Sequence, residues 1–372
     1  MKIGIICYPT LGGSGIVATE LGHELALRGH EIHFITYDIP FRLRIEAPNI
    51  YFHEVEIHQY DLFKYPDYAL TLAVKIAQVA KHYDLDIIHA HYAIPHATSA
   101  YLAKQILGTK KPAVITTLHG TDITLVGRDP AYHHIVKFSI EKSCAVTAVS
   151  ESLKNQTQTL FDIQRPFHVI YNFVIPKKEL IGHKSRRHRF VRDDEKLLLH
   201  SSNFRSVKRT EDVLNIFLDV RKHVPSKLLF LGTGPTQDEL RRLVADFDLE
   251  SEVIFLGRSR DVAHYVASAD LFLLPSEMES FGLSALEAMA YGVPVVASNT
   301  GGLPEVVLQG QTGFLSPIGA TKEMANHAIE LLTNDQMYQE FSLKGIEHAR
   351  TNFSVDKILP QYEKLYHDTA EC

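Results

Sequence analysis

The chain has 372 residues, of which 45% are hydrophobic and 22% charged, a balance typical of a globular enzyme and not of a disordered or collagen-like chain. That length is too great for one ordinary hydrophobic core and suits two domains. With 38 Lys and Arg against 44 Asp and Glu, the net charge is −6, which disfavours nucleic acid or an anionic membrane as the main partner. No apolar run approaches the roughly 18 residues that a membrane-spanning helix needs, so we expect no membrane insertion.

The N-terminus and the cysteines bear on where the protein works. The chain opens MKIGIICYPTLGG, without the charged region and small-residue cleavage site of a secretory signal. Cysteine is sparse and odd in number, at Cys7, Cys144 and Cys372, which argues against a disulfide framework and for a reducing compartment. We therefore expect a cytoplasmic protein in which Cys7 and Cys144 are core residues of buried strands.

The first half of the chain alternates short apolar runs with helical segments. Residues 2–7 are typical of a buried parallel strand, and residues 16–28 carry apolar side chains at helical spacing, ending at a glycine cap, Gly29. With the next apolar run this makes a βαβ unit, which predicts a parallel sheet with right-handed crossovers. Further strands are predicted at residues 32–37, 86–91, 113–117, 145–149 and 169–170.

The composition changes before a second α/β block begins. Residues 177–192 hold seven Lys or Arg and one acid without apolar periodicity, which indicates a solvated linker, with an anion-binding patch as the alternative. A helical tail after residue 354 has no strand of its own to pack beside. The strands of the second block are predicted at residues 196–199, 227–231, 253–256, 271–274 and 293–297.

Two doubly wound α/β domains with a cleft between them are the economical architecture. We place the first at residues 1–173, the linker at 174–193 and the second at 194–352. In such folds ligands bind outside the carboxyl ends of the strands, so the loops there are the places to look for chemistry.

The glycine-rich turn after the first strand is a candidate anion site. Gly13 to Ala18 match the G-x-G-x-x-A dinucleotide fingerprint, but four residues separate this turn from the strand, which makes the match weak. The free N–H groups and the positive end of the following helix still favour an anion. A tight turn that needs glycine for its dihedral angles explains the pattern equally well.

Several metal and nucleophile motifs are weak or absent. Asp84-x-Asp86 and Asp246-x-Asp248 look like metal clamps but lie at the ends of elements, where solvated acids are common. His89-x-His91 has no third ligand nearby in sequence, so we expect no metal site and no cofactor. A G-x-S-x-G nucleophile elbow does not occur around Ser14.

Two stretches of the second block suit a phosphorylated, hydroxyl-rich ligand. Arg205, Lys208 and Arg209 follow its first strand, where cations facing a cleft suit phosphate. Glu279 and Glu287 form an E-x₇-E pattern around Ser-Phe-Gly, with Glu279 in a loop and Glu287 on the next helix. The two carboxylates would accept hydroxyls at different depths of one pocket, since burial without a partner would be costly.

The ordered set of these motifs is similar to the retaining glycosyltransferases of GT-B fold. Besides E-x₇-E, GGSG and Lys208, the set includes TLHG, Tyr171-Asn172, GTGP and GGLPE, and it spans nearly the whole chain. The resemblance implies two Rossmann-like domains, an acceptor-binding first domain and a nucleotide-sugar-binding second domain, with a C-terminal helix at 353–372 that crosses back to the first. Within this family, the chain most resembles the branch that transfers N-acetylglucosamine from UDP-GlcNAc to L-malate in bacillithiol synthesis. This resemblance rests on the segments CYP, HFITYDIPFR, HAHYAIPHA, TTLHGTDIT and SNFRSVKR.

The resemblance also implies roles for individual residues on the donor side. Glu287 would accept the ribose hydroxyls, Glu279 the donor-sugar hydroxyls, and Lys208 with Arg205 would hold the diphosphate. The catalytic set would be His119, Arg205, Lys208 and Glu279, with His119 near the C6 hydroxyl of the donor sugar. The other donor-binding positions would be Gly12, Gly13, Gly257, Arg258, Phe281, Gly282 and Leu283.

The acceptor side rests on residue type and position. A dicarboxylate needs cations and hydroxyl or amide donors, and each candidate also has an ordinary structural explanation. Relatives commonly carry an Arg five residues before the Lys where this chain has Asn203, so Arg205 serves either the diphosphate or the acceptor. The acceptor candidates are Ser14, Tyr92, Thr117, Asn172 and Arg205.

The expected mechanism is same-face attack by the acceptor with net retention. No side chain is an evident nucleophile, and fixed cations and N–H groups would stabilise the leaving diphosphate. An inositol phosphate or a sugar as acceptor, a GT-B epimerase and a non-catalytic nucleotide-sugar module remain as alternatives, and a homo-oligomer stays open.

Overall fold

The computed structural model describes residues 1–10, 12–57, 67–184 and 186–372, so Ser185 of the predicted linker lies outside the described residues. The chain divides into two compact units. The first consists of Met1–Asn172 and Val355–Cys372, and the second of Phe173–Ser354.

The first unit is built on a seven-stranded sheet whose pairings are all parallel. Its strand order, β3-β2-β1-β4-β5-β6-β7, is that of a doubly wound fold and reverses between β1 and β4. The strands are β1 (Lys2–Ile6), β2 (Glu31–Thr36), β3 (Ile50–Glu54), β4 (Ile87–His91), β5 (Ala113–Leu118), β6 (Ala145–Ala148) and β7 (His168–Val169). The helices between them are α1 (Gly13–Leu27), α2 (Tyr68–Tyr83), α3 (Thr98–Leu107), α4 (Pro130–Lys142) and α5 (Glu151–Phe161).

The second unit repeats the plan with six parallel strands in the order β10-β9-β8-β11-β12-β13, which reverses between β8 and β11. The strands are β8 (Lys196–Ser201), β9 (Ser226–Leu231), β10 (Val253–Gly257), β11 (Leu271–Leu274), β12 (Val295–Ser298) and β13 (Gly313–Ser316). The helices are α6 (Thr210–Val220), α7 (Gln237–Asp246), α8 (Val262–Ser268), α9 (Leu283–Ala290), α10 (Leu303–Val306), α11 (Thr321–Thr333) and α12 (Asp335–Asn352).

The C-terminal helix α13 (Val355–Thr369) belongs to the first unit. Its apolar face buries Leu359, Tyr362 and Tyr366 almost completely, and an ion pair of 2.9 Å joins Arg28 Nη1 to Glu363 Oε2. A helix with one apolar stripe must bury it against another element. The tail that lacks a strand of its own in sequence therefore completes the core of the first unit.

The central strands are predicted well because both of their faces are buried. β1 buries Ile3, Ile5 and Ile6 completely, which is why it reads as a continuous apolar run. The sequence analysis misses β3 and β13. β3 carries Tyr51 and His53 in an edge strand with little burial, and β13 begins at a glycine, a residue that is depleted in strands.

The basic segment after residue 176 differs from the solvated linker expected there. Lys184 and Arg187 both pair with Asp270, whose side chain is 3% exposed, and Arg186 Nη1 lies 3.0 Å from Asp261 Oδ2. The Asp270 carboxylate also accepts the N–H of Leu197 at 2.7 Å. A nearly buried carboxylate needs such partners, so these cations serve the packing of the second unit.

The cysteines also depart from expectation, because Cys144 and Cys372 form a disulfide. Cys7 stays a free, fully buried core residue. The two cysteines are 228 residues apart in sequence, so their pairing cannot be predicted from the sequence. Lys104 Nζ lies 3.7 Å from Cys144 Sγ. The bond attaches the end of the chain, just beyond α13, to the residue that precedes β6.

Within the described ranges, no helix combines the length and apolar character needed to cross a membrane.

We expect the disulfide to stabilise the first unit. Cross-links of this kind typically contribute about 2–4 kcal/mol, so dithiothreitol should lower the Tm of the oxidised protein by roughly 5 °C or more. Differential scanning calorimetry measures the shift. Cys372→Ser is the control, because its Tm should already be low and should not respond to dithiothreitol. Three free thiols in air-oxidised, unfolded protein would contradict the prediction.

Candidate active site

The first cluster of candidate residues follows β1, β4 and β5, which are neighbours in the first sheet. Because parallel strands bring their carboxyl ends to one edge, Tyr8, Tyr92 and His119 meet there. The Tyr8 and Tyr92 ring centroids lie 5.5 Å apart, and those of Tyr92 and His119 lie 5.3 Å apart. Tyr92 and His119 are predicted from the sequence as site residues, but Tyr8 is not. Its ring lies at the point where the strand order reverses.

The glycine turn after β1 is shaped by close backbone contacts. A Cβ on Gly15 would come within 2.6 Å of the Tyr8 carbonyl oxygen and 2.7 Å of that of Thr10, so no larger residue fits without movement. Gly12 precedes α1 in extended conformation with no side-chain cap, and Gly13 is exposed. The first turn of α1 carries no acid. Its N–H groups are therefore available to an anion.

Tyr92 stands in an unusual backbone conformation. Its φ of +95° lies in the region that residues with a side chain rarely adopt, and its N–H donates to the Thr117 carbonyl at 2.9 Å. Burial raises the pKa of its phenol to about 12, against the opposing effect of hydrogen bonds with Ser14 and Thr121. Tyr92 is thus a neutral hydroxyl that faces Ser14, and the structure brings these two acceptor candidates together.

Asp122 joins the loops after β4 and β5, and the sequence analysis missed it. Its carboxylate accepts the N–H groups of Ala93 and Gly120 at 3.0 Å and that of His119 at 3.4 Å. Burial raises its pKa to about 6, although these N–H donors act in the opposite direction. The sequence does contain a pattern that could have predicted this role: Asp122 comes two residues after the Gly of TLHG, a spacing at which an Asp side chain often accepts backbone N–H groups of its own turn.

Thr117 is held inside the sheet. Its side chain is fully buried, and its Oγ1 lies 2.6 Å from His89 Nε2 and 2.6 Å from Thr147 Oγ1. His89 Nδ1 in turn lies 2.8 Å from the Tyr366 hydroxyl on α13. His89 therefore serves a buried hydrogen-bond chain. Asn172, the last residue of the N-terminal segment of the first unit, is 6% exposed, and its Oδ1 has no hydrogen-bond partner among the described residues.

The second cluster follows β8 and β11 and centres on an ion pair. Lys208 Nζ lies 2.5 Å from Glu279 Oε1, and Ser276 Oγ donates to the same oxygen at 3.0 Å. The Lys208 and Glu279 side chains are only 20% and 11% exposed. The structure thus pairs the cation that the resemblance assigns to diphosphate binding with the carboxylate that it assigns to sugar binding.

Glycines hold the loops of the second cluster against each other. A Cβ on Gly301 would lie 1.8 Å from the Glu279 carbonyl oxygen, and one on Gly232 would lie 1.9 Å from that of Ser202. Gly302 N–H donates to the Glu279 carbonyl at 2.9 Å. Backbone contact therefore explains both motifs: GGLPE packs on the loop that carries Glu279, and GTGP packs on the loop that follows β8.

The helix after Glu279 begins at Gly282, whose φ is +97°. Glu287 is half-buried on this helix, α9, and Leu283 is half-buried at its start. The Phe281 side chain is 3% exposed and stacks edge-on against Phe353. The Phe281 side chain is therefore closed off by packing, whereas Glu287 carries a half-buried carboxylate on α9.

The remaining cations of the second cluster differ in their partners. Arg209 Nε pairs with Asp212 at 2.6 Å, so it holds the start of α6. The Arg205 guanidinium is half-buried and has no acidic partner in the described part of the chain. Gly257 accepts the N–H of Gly232 at 2.8 Å, and the exposed Arg258 donates from Nε to Thr233 Oγ1 at 2.9 Å. Arg205 is thus a cation available to a ligand.

The buried histidines of the first cluster predict a stability that depends on pH. Burial lowers the pKa of His89 and His119 to about 3 and of His96 to about 4, and it lowers that of His91 strongly. In the unfolded chain these histidines take up protons near pH 6.5, whereas in the folded chain they do so only at about pH 3 to 4. Their contribution to the free energy of unfolding is therefore fully present above pH 6.5 and decreases as the pH falls below 6.5. Each histidine contributes up to about 1.4 kcal/mol per pH unit.

Calorimetry at pH 7, 6 and 5 checks this expectation. The four histidines outweigh Asp122, whose raised pKa acts in the opposite direction between about pH 4 and 6. The Tm should fall steadily on acidification, while pH 7 and pH 8 should give similar values. A Tm that stays level or rises down to pH 5 would show that these histidines are charged in the folded protein.

The Lys208–Glu279 pair predicts coupled stability effects. Lys208→Met should lower the free energy of unfolding by about 1–3 kcal/mol, because it leaves a carboxylate that is 11% exposed without its cation. Adding Glu279→Gln should recover about 1 kcal/mol. The exposed pair Lys222–Asp219 is the matched control and should show almost no coupling. Urea unfolding of the single and double variants measures both cycles, and strictly additive effects at Lys208 and Glu279 would refute the prediction.

Comparison with known proteins identifies the family of the chain. The family model "Glycosyltransferase Family 4" matches residues 11–178, and "Glycosyl transferases group 1" matches residues 183–348. The chain is 47% identical to N-acetyl-alpha-D-glucosaminyl L-malate synthase of Bacillus anthracis over 99% of this chain and 97% of that protein. It is 25% identical to an uncharacterized glycosyltransferase of Haemophilus influenzae over 98% of this chain and 99% of that protein.

Solved structures share the fold. HepE of Anabaena in complex with UDP-glucose superposes with a TM-score of 0.84 at 21% identity, covering 99% of this chain and 100% of that one. Sucrose-phosphate synthase from Thermosynechococcus elongatus gives 0.79 at 21% identity, covering 99% and 98%. The fold class predicted from sequence is confirmed, and the chain belongs to the GT-B glycosyltransferases, in the family that includes the Bacillus anthracis synthase.

Proposed function

We propose that the protein transfers N-acetylglucosamine from UDP-GlcNAc to the hydroxyl of L-malate, with retention at the anomeric carbon, as the first step of bacillithiol synthesis. The observation that supports this most is the 47% identity, over almost the full length of both chains, with the Bacillus anthracis protein that carries the synthase name. The protein would do this in the cytoplasm.

The second unit binds the donor in this proposal. Lys208 and Arg205 hold the diphosphate, because one is a cation fixed by Glu279 and the other has no acidic partner in the described ranges. Glu287 accepts the ribose hydroxyls, and Glu279 accepts hydroxyls of the sugar. Backbone groups at Gly257 and Arg258 border the base, and those of Phe281, Gly282 and Leu283 border the donor.

The first unit binds the acceptor in this proposal, and some of its residues contribute to donor binding. The N–H groups at Gly12 and Gly13 face the diphosphate, and His119 contacts the sugar. Ser14 and Tyr92, which lie together, donate to the carboxylates of malate, and Asn172 adds an amide. Thr117 does not itself bind the acceptor in this proposal, because its fully buried hydroxyl contacts His89 and Thr147.

The chemistry follows from these fixed charges. Cleavage of the sugar–phosphate bond builds negative charge on the leaving diphosphate, and preorganised cations and N–H donors stabilise that charge as it develops. The malate hydroxyl attacks from the face that the diphosphate leaves, and a departing phosphate oxygen takes its proton. We include no metal ion and no cofactor, because Lys208 and Arg205 supply the positive charge.

The test is UDP release from UDP-GlcNAc without acceptor and then with L-malate, D-malate, inositol phosphate or glucose. We expect release with L-malate alone, unchanged by EDTA, and an α-linked product by NMR. Lys208→Ala should lower kcat/KM by about 10²–10³, whereas Lys222→Ala, a surface control, should not. Release with another acceptor would replace malate in the proposal, and release without acceptor would indicate an epimerase or hydrolase instead.

A further inference from the structure

His91 and His119 form a direct imidazole–imidazole contact in the first unit. His91 Nδ1 lies 2.8 Å from His119 Nε2, and the rings are stacked with centroids 5.1 Å apart. His91 is the last residue of β4 and is fully buried, whereas His119 follows β5 and is half-buried. One ring is therefore part of the core and the other reaches toward the site.

The surroundings of His91 decide which nitrogen carries its proton. His91 Nε2 is buried and has no hydrogen-bond partner among the described residues. A buried N–H without an acceptor is more costly than a bare ring nitrogen, since orphaned buried donors are the rarer case in proteins. The proton of neutral His91 therefore sits on Nδ1, where it is donated to His119 Nε2.

This donation fixes the state of His119. Its Nε2 accepts, so the proton of the neutral ring must be on Nδ1. His119 Nδ1 is therefore the ring nitrogen that carries an N–H and is not used in the contact with His91. The backbone of His119 is held as well, because Asp122 accepts the N–H groups of His119 and Gly120.

A neighbouring histidine follows the same logic. His96 Nδ1 donates to the carbonyl oxygen of His91, and its Nε2 is also buried without a partner in the described ranges. His96 thus restrains the His91 backbone as His91 restrains the His119 ring. A cation on any of these rings would stand among buried neighbours without a paired acid, which the buried environment disfavours.

We propose that His91 is a positioning residue that holds His119 as the neutral Nδ1–H tautomer, so that His119 presents a hydrogen-bond donor to an oxygen of the donor sugar. This inference rests on the proposed function for the role of the sugar, but the tautomer of His119 does not depend on it. A donor at this place selects a sugar that carries a hydroxyl oxygen there, because an analogue without that oxygen leaves the N–H unpaired.

The first experiment reads the tautomer directly in the full-length protein. Long-range ¹H–¹⁵N NMR at pH 7.5, assigned with His119→Asn, should show His119 with a protonated Nδ1 and a bare Nε2. His91→Asn, whose amide nitrogen can take the place of Nδ1, should keep this pattern, and His91→Leu should lose it. An Nε2–H tautomer in the unsubstituted protein overturns the proposal, whatever the substrate proves to be.

The second experiment reads the consequence for activity. His91→Leu should lower kcat/KM for UDP-GlcNAc about ten- to hundred-fold, the equivalent of one hydrogen bond to a fixed group, while the KM for L-malate stays within about two-fold. His91→Asn should restore most of the loss. If His91→Leu and His91→Asn lose activity equally, or malate binding falls in parallel, His91 is only structural and the proposal fails.

His33→Leu is the matched control. His33 is also fully buried, and its Nδ1 contacts His53 Nε2 at 2.8 Å with rings stacked 5.1 Å apart, but this pair lies on β2 and β3. It should lower the Tm as His91→Leu does and leave kcat/KM unchanged. Equal losses of activity in both variants would assign the effect to stability. Failure of the unsubstituted enzyme to use UDP-GlcNAc with L-malate would reject the proposed function, while the NMR result would still decide the tautomer.

Discussion

The reversal of strand order in each sheet is the constraint on which the rest of the structure depends. In both units the chain starts in the middle of the sheet and winds outward in two directions, so the crossovers beside β1 and β4, and beside β8 and β11, leave by opposite faces. In each unit, such a winding leaves a crevice at the point where the strand order reverses. The glycine turn and the His119 loop lie at this point in the first unit, and Lys208 and Glu279 lie at it in the second. The candidate residues are far apart in sequence, but the winding gathers them within each unit.

The two clusters differ in charge: the first consists mainly of neutral groups among the described residues, and the second contains ionised side chains. The first is lined by neutral groups, since burial keeps His91, His96 and His119 uncharged and Tyr92 protonated. Its acid, Asp122, is occupied by backbone N–H groups. The second holds full charges close together. Fixed dipoles suit an uncharged sugar, whereas full cations suit a diphosphate. The proposed assignment of the diphosphate to the second unit therefore agrees with the charges that its buried groups carry.

The sequence predicts those parts of the molecule whose causes are local. Strands buried on both faces, such as β1 and β11, show themselves as apolar runs, and the spacing of Glu279 and Glu287 identifies the second cluster. Features that depend on contacts between distant residues do not show. The pairing of Lys184 and Arg187 with Asp270, the Cys144–Cys372 disulfide and the edge strand β3 all depend on the finished fold. His91 looks like a weak metal motif in sequence because its partner His119 lies 28 residues away, just after β5.

The Lys208–Glu279 pair shows how two charged groups in a shielded site can stabilise each other. Lys208 without Glu279 would be an unpaired cation in a site that is largely shielded from water, and Glu279 without Lys208 would be an unpaired carboxylate. In the proposed reaction the diphosphate takes over the ammonium group, and sugar hydroxyls donate to the carboxylate. Each group then exchanges one partner for another of matching character, so substrate binding need not desolvate a bare charge. The pair in which each group stabilises the other therefore sets the two kinds of group, anionic and hydroxylic, that a ligand must bring together.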